Sequence, residues 1–185
     1  VENNSLIMKG VLSSGVAGKN GTQYVARIGV NNPGGSVLYA GDSIVLENVR
    51  KATLVFSAAT DYFNQDPEAL CGELLQKALS KKYRQLRKDH IRSYQSLFDR
   101  VSLQLGPYRK ATNLPTDQRL QSYHSNPDPG LDALYYQYGR YLLISSTRPG
   151  QLPPNLQGLW ANTIQTPWNG DYHLNINLQM NHWLA

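Results

Sequence analysis

Short apolar runs separated by Gly-rich turns occupy the first 60 residues, the signature of strands rather than helices. Residues 5–12 form a mixed apolar run, and residues 23–30 follow the turn signal Gly18-Lys19-Asn20-Gly21. After a second turn cluster at residues 31–35, two more strands are predicted over residues 43–49 and 52–58. This spacing predicts an antiparallel sandwich sheet. So few strands cannot close a sandwich, so the partner sheet is expected in preceding chain. The period then changes. Asp66-Pro67-Glu68 opens a helix, and Leu70, Leu74, Leu75, Leu79, Tyr83, Leu86, Ile91, Tyr94 and Phe98 keep a 3.6-residue spacing. Thirty-odd residues is long for one helix, so a break is expected near Ser80. Residues 101–105 alternate and predict a strand returning to the sheet. Residues 106–130 read as a Pro- and Asn-rich connector, residues 131–145 as a helix apolar on most sides, and residues 148–170 as a long loop.

The chain has 185 residues, 41% hydrophobic and 17% charged, enough for an ordinary globular domain. No run approaches the roughly 20 apolar residues of a membrane span, and no signal peptide is visible. A start at Val1 and an end within an apolar pattern argue for a piece of something longer. The net charge of +5 gathers in Lys77, Lys81, Lys82, Arg84, Arg87, Lys88 and Arg92, which predicts a solvated helix face. Nucleic acid is not the expected partner, because stacking aromatics do not interleave with that charge. A single cysteine, Cys71, excludes an intrachain disulfide and reads as a small buried apolar group.

Candidate chemistry lies in residues 152–185. Trp160, Trp168, Trp183 and Tyr172 stand there among Asn155, Gln157, Asn162, Asn169, Asn175, Asn177, Gln179 and Asn181. Aromatic faces take the C–H faces of a sugar ring, and amides both donate to and accept from hydroxyls. The same residues can equally fill a loop and cap helices. If His173-Leu174-Asn175-Ile176-Asn177 is extended, His173, Asn175 and Asn177 share one surface while Leu174 and Ile176 point into the core. Alternatively, Asn177 caps a helix running into residues 178–183. An amide is a weak general base unless a carboxylate polarises it, and only Asp171 is near in sequence.

Residues 145–183, above all Asn-Leu-Gln-Gly-Leu-Trp at 155–160 and His-Leu-Asn-Ile-Asn-Leu-Gln-Met-Asn at 173–181, closely resemble glycoside hydrolase family 95. That is the inverting 1,2-α-L-fucosidase family, which also includes α-L-galactosidases. Residues 58–62, His90 with residues 94–101, residues 114–120 and residues 134–143 resemble it too, so the likeness covers nearly the whole chain.

The resemblance implies an α+β chain: residues 1–65 end a β super-sandwich, residues 66–127 form a helical linker with the strand at 101–105, and residues 128–185 begin an (α/α)6 catalytic barrel. It implies Asn177 as the water-activating catalytic asparagine and Asn175 as its companion, with His173, Trp160, Trp168, Asn155 and Gln157 on the substrate. The family's acidic glutamate and polarising aspartate lie downstream of this motif, so the 185-residue chain alone is expected to be inactive. A fucosylated glycan is the implied partner, with no cofactor, metal, nucleic acid or membrane. Self-association through the incomplete sandwich is expected, as is a periplasmic or secreted site for the full-length enzyme. Two other readings stand beside this one: a non-catalytic carbohydrate-binding or structural remnant, and part of a family 65-like disaccharide phosphorylase. The paired asparagines argue against the phosphorylase.

Overall fold

A computed structural model describes residues 4–31, 34–63, 65–106 and 113–185. The chain is α+β and divides into two compact units, Val1–His90 and Ile91–Ala185. In the first unit the strands are β1 (Leu6–Ser13), β2 (Asn20–Asn31), β3 (Ser36–Ala40), β4 (Ser43–Glu47) and β5 (Thr53–Thr60). Strands β1, β2 and β5 make one antiparallel sheet in the order β1-β2-β5, and β3 and β4 pair as a separate hairpin. The sequence pattern anticipates four of these strands and misses β3.

Register explains how helix α1 (Pro67–Leu79) finds the sheet. Ile7 pairs with Arg27, Arg27 with Ser57 and Gly29 with Val55, so these five residues share a face. Gly29 matters because a Cβ there would sit 2.8 Å from a Leu79 methyl and 3.4 Å from Leu75. Leu75 and Cys71 are fully buried on the same side, and the Ser57 hydroxyl donates to the Cys71 carbonyl at 2.9 Å. Cys71 is thus the small buried group its sequence context predicts. On the sheet's other face, among the described residues, Met8, Leu54 and Phe56 are 61%, 64% and 65% exposed.

Both ends of α1 are satisfied by side chains. Asp66 accepts from the Glu68 and Ala69 amides at 2.9 and 3.2 Å, as the Asp-Pro-Glu start predicts. At the other end the Asn31 amide, arriving from β2, donates to the Leu79 and Lys81 carbonyls, both at 3.1 Å. Ser80 is the C-cap, so the helix breaks where its length requires, and α2 (Tyr83–Phe98) follows. All seven basic residues of the predicted solvated face are exposed.

The second unit contains the end of α2, then α3 (Thr116–Ser122), α4 (Pro129–Ser146) and α5 (Asn177–Asn181). Residues 101–105 are not a strand. Alternation alone cannot make one where no described strand offers a partner for the backbone. Helix α3 lies inside the predicted connector, of which residues 107–112 fall outside the described residues. Helix α4 forms as the pattern predicts but is not buried on most sides. Only Leu131, Arg140 and Leu143 are buried, while Tyr135 is 79% exposed.

Two arginines organise this unit. Arg140 is buried on α4, and its Nη1 donates to the Phe98 and Val101 carbonyls at 2.9 and 3.0 Å. Its Nη2 donates to the Leu97 carbonyl at 3.3 Å, and its guanidinium lies 4.9 Å from the Phe98 ring centre. Helix α2 has no basic residue in its last turn, so Arg140 supplies the positive charge its C-terminus favours. Arg119 on α3 makes a buried fork to Asp128, Nε to Oδ2 at 2.8 Å and Nη2 to Oδ1 at 3.2 Å. The same carboxylate caps α4 by accepting from the Leu131 amide at 3.1 Å.

Arg140→Met, which keeps the aliphatic stem but takes the charged donor from the Val101 carbonyl and leaves the Leu97 and Phe98 carbonyls only long backbone bonds of 3.4 Å, should destabilise the unit by about 2–3 kcal/mol in urea unfolding at neutral pH. An unchanged midpoint would show that water satisfies those carbonyls equally well. The hydrogen bond from Arg119 holds the Asp128 carboxyl below its ordinary range. The unfolded chain therefore takes up this proton at a higher pH than the folded one. The contribution is complete above the ordinary Asp range, near pH ~3.9, and is lost as pH falls through the lowered value. Asp128→Asn should flatten the acid limb of a stability-against-pH curve. A curve of identical shape would remove Asp128 as its source.

Candidate functional site

The loop after α4 and the segment entering α5 bring the candidate residues together. Asn155 builds its own turn: its Oδ1 accepts from the Gln157 amide at 2.8 Å and its carbonyl from the Gly158 amide at 3.1 Å. Gly158 has φ +60°, and a Cβ there would lie 3.1 Å from the Trp160 ring. A side chain at position 158 would therefore both strain the backbone and displace the indole.

Pro167–Gly170 forms a short 3-10 turn in which Trp168, Asn169 and Gly170 all have positive φ, at 50°, 55° and 61°. Gln165 Nε2 donates to Asn169 Oδ1 at 2.6 Å, and Asp171 N returns to the Trp168 carbonyl at 3.0 Å. The turn leaves the Trp168 indole 73% exposed. Gly170 is buried, and a Cβ on it would approach Asn155 Nδ2 to 3.5 Å and Gln157 Cγ to 3.7 Å.

Two hydrogen bonds tie the 155–160 loop to the chain that follows it. Leu156 N donates to the Asp171 carbonyl at 3.2 Å, and Asn181 Nδ2 lies 3.4 Å from the Asn155 carbonyl. Asn155, Gln157 and Trp160 line one cavity of about 230 Å³, together with Ser146 and Asn181. His173, Asn175, Asn177 and Trp168 do not line it. Asn181 stands four residues after Asn177, on the same side of a helix.

The segment from His173 to Asn177 is not extended. His173 has φ +33°, residues 174–176 form a turn, and α5 starts at Asn177. Asn175 is exposed while His173 and Asn177 are half-buried, so the single shared face expected of a strand is absent. Leu174 and Ile176, expected in the core, are 67% and 55% exposed. The capping alternative also fails in its simple form. Ile176 is the N-cap residue, and no side chain bonds the free amides. Among the described residues no carboxylate hydrogen-bonds Asn175 or Asn177, and no group of three or more His, Cys, Asp or Glu gathers to hold a metal. No helix of the described residues is long and apolar enough to cross a membrane.

The small cavity thus has one indole, Trp160, and the amides of Asn155, Gln157 and Asn181 on a lining otherwise made largely of Leu, Pro and Gly. Residues 82–185 match the glycosyl hydrolase family 95 catalytic domain. The chain belongs to glycosyl hydrolase family 95. It is 41% identical over 180 residues to the "Probable alpha-fucosidase A" of Aspergillus niger, covering 88% of this chain and 23% of that protein. Against "Alpha-L-fucosidase 2" of Arabidopsis thaliana it is 37% identical over 174 residues, 86% of this chain and 20% of that protein. Against the "Probable alpha-fucosidase A" of Aspergillus oryzae it is 42% identical over 134 residues, 70% of this chain and 18% of that protein. The chain spans about a fifth of the length of these relatives.

Proposed function

We propose that this chain is part of an inverting glycoside hydrolase acting on α-L-fucosides or α-L-galactosides, in which Asn177 activates the attacking water. The observation that carries the reading is the family match over residues 82–185, which includes both asparagine-bearing motifs. Inversion requires an acid on the leaving oxygen and a base on the opposite face of the sugar. Asn177 serves as the base when a carboxylate supplied from elsewhere in the enzyme polarises its amide, and Asn175 is its companion. His173 holds the substrate, while the indoles of Trp160 and Trp168 and the amides of Asn155 and Gln157 flank it. In this reading residues 1–65 end a β super-sandwich, 66–127 form the linker, and 128–185 begin an (α/α)6 barrel. The sheet-then-helix order and the length of α4 support that division.

In an enzyme of the relatives' full length carrying this segment, Asn177→Ala should lower kcat on 2′-fucosyllactose by on the order of 10²–10⁴, the usual range for losing a general base. KM should move little, whereas His173→Ala should mainly raise KM. An Asn177→Ala enzyme with parental kcat overturns the assignment. Proton NMR of the first-formed fucose should show the β-anomer; the α-anomer rules out inversion.

Self-association is proposed on a separate observation, the exposure of Met8, Leu54 and Phe56 on one sheet face among the described residues. Sedimentation velocity of the 185-residue chain should show species above the monomer, and a single monomer peak removes the proposal.

A further inference from the structure

The turn that delivers Asn175 and Asn177 carries strain and little local support. His173 is a non-glycine residue at φ +33°, a backbone conformation that persists only where the surroundings impose it. Helix α5 has only five residues and no side-chain N-cap, so it contributes little stability of its own. Something must hold the entry to the helix. Three hydrogen bonds run back from α5 into the turn: Leu178 N to the His173 carbonyl at 3.4 Å, Met180 N to the Ile176 carbonyl at 3.0 Å, and Gln179 Nε2 to the Leu174 carbonyl at 2.9 Å. Of these, only the Gln179 contact comes from a side chain, and it is the shortest.

The Leu174 carbonyl belongs to the peptide plane that carries the Asn175 amide, between His173 and the catalytic asparagines of the proposed reading. A donor on that oxygen constrains the plane, and with it the directions in which Leu174 and Asn175 leave the backbone and the path the chain takes into Asn177. We infer that Gln179 is a positioning residue, whose side-chain amide sets the Leu174–Asn175 peptide and so aims Asn175 and the entry of the chain into Asn177. The inference rests on the proposed role of Asn177 and adds to it a residue that touches neither substrate nor water.

Chemistry supplies a sharp probe. Gln179→Glu has nearly the same shape, but its ionised carboxylate only accepts, and it faces a carbonyl oxygen. Protonated, it regains an O–H donor. In the full-length enzyme acting on 2′-fucosyllactose, Gln179→Glu should lower kcat about 10–100-fold with KM nearly constant, the scale of a displacement of about 1 Å. The deficit relative to the parent should shrink as pH falls through the ordinary Glu range, near pH ~4.3. Gln179→Met, equally long and without a donor, should show the same loss with no pH-dependent recovery. Because it carries no charge, it also serves if the Glu variant fails to fold.

A parental kcat in the Met variant overturns the inference. So does a deficit that follows a fall in melting temperature and ignores pH in the Glu variant. Asn177→Ala measured in parallel separates the two ideas. If Asn177→Ala is impaired and the Gln179 variants are not, the positioning role alone is wrong. If Asn177→Ala keeps parental kcat, the reading of the site has failed, and a loss at Gln179 then counts against its acting through Asn177.

Discussion

Unsatisfied backbone groups at helix ends are the constraint around which this chain is built. A helix leaves four amides and four carbonyls without internal partners at its two ends, and burying them unpaired is expensive. Here the partners come from other elements. Asn31, at the end of the central strand β2, closes the C-terminus of α1, so the strand end and the helix end are fixed by one amide. Arg140 closes the C-terminus of α2 from the middle of α4, across more than forty residues of sequence. Asp128 caps α4 while its other bonds go to Arg119 on α3. Together these bonds satisfy helix ends and tie separate elements to one another.

This arrangement explains why buried charge is tolerated in a chain of modest core. Arg140 and Arg119 are only 4% and 7% exposed, a position that would cost several kcal/mol for an unpaired cation. Both are paired, one with carbonyl dipoles at a negative helix end and one with a carboxylate in fork geometry. The aromatic ring of Phe98 closes a further side of the Arg140 guanidinium.

What the sequence reveals follows from how local each signal is. The start of α1 was legible because Asp66, Pro67 and Glu68 act on their own neighbours, and its end because the apolar period outlasts a reasonable helix. Strand β3 escapes the pattern although the two-residue Gly41-Asp42 connection is itself a hairpin signal; five residues between Gly34-Gly35 and Gly41 look like more turn. Helix α3 has a single Leu, exposed Leu120, so no period can announce it, and it is held by an ion pair whose partner lies nine residues on. At the candidate site, residue types were legible and conformation was not. Alternating His, Asn and Asn fits a strand, but a strand needs a neighbour, and this segment instead turns back on α5.

The contrast bears on how an amide could do the work of a base. A carboxylate base is reactive by its own charge and tolerates some misalignment. An asparagine is not: its basicity arises only from a partner that polarises it and from an orientation that exposes the right lone pair to water. Such a residue belongs on backbone whose direction is over-determined. Here the backbone holds positive φ at Trp168, Asn169, Gly170 and His173 within six residues, and hydrogen bonds from Leu156 to Asp171 and from Asn181 to Asn155 tie the 155–160 loop to the chain that follows. An extended strand would have presented the asparagines on one face but allowed them to slide in register with it. A strained turn closed from within a helix lacks that freedom, and it trades local stability for a fixed direction.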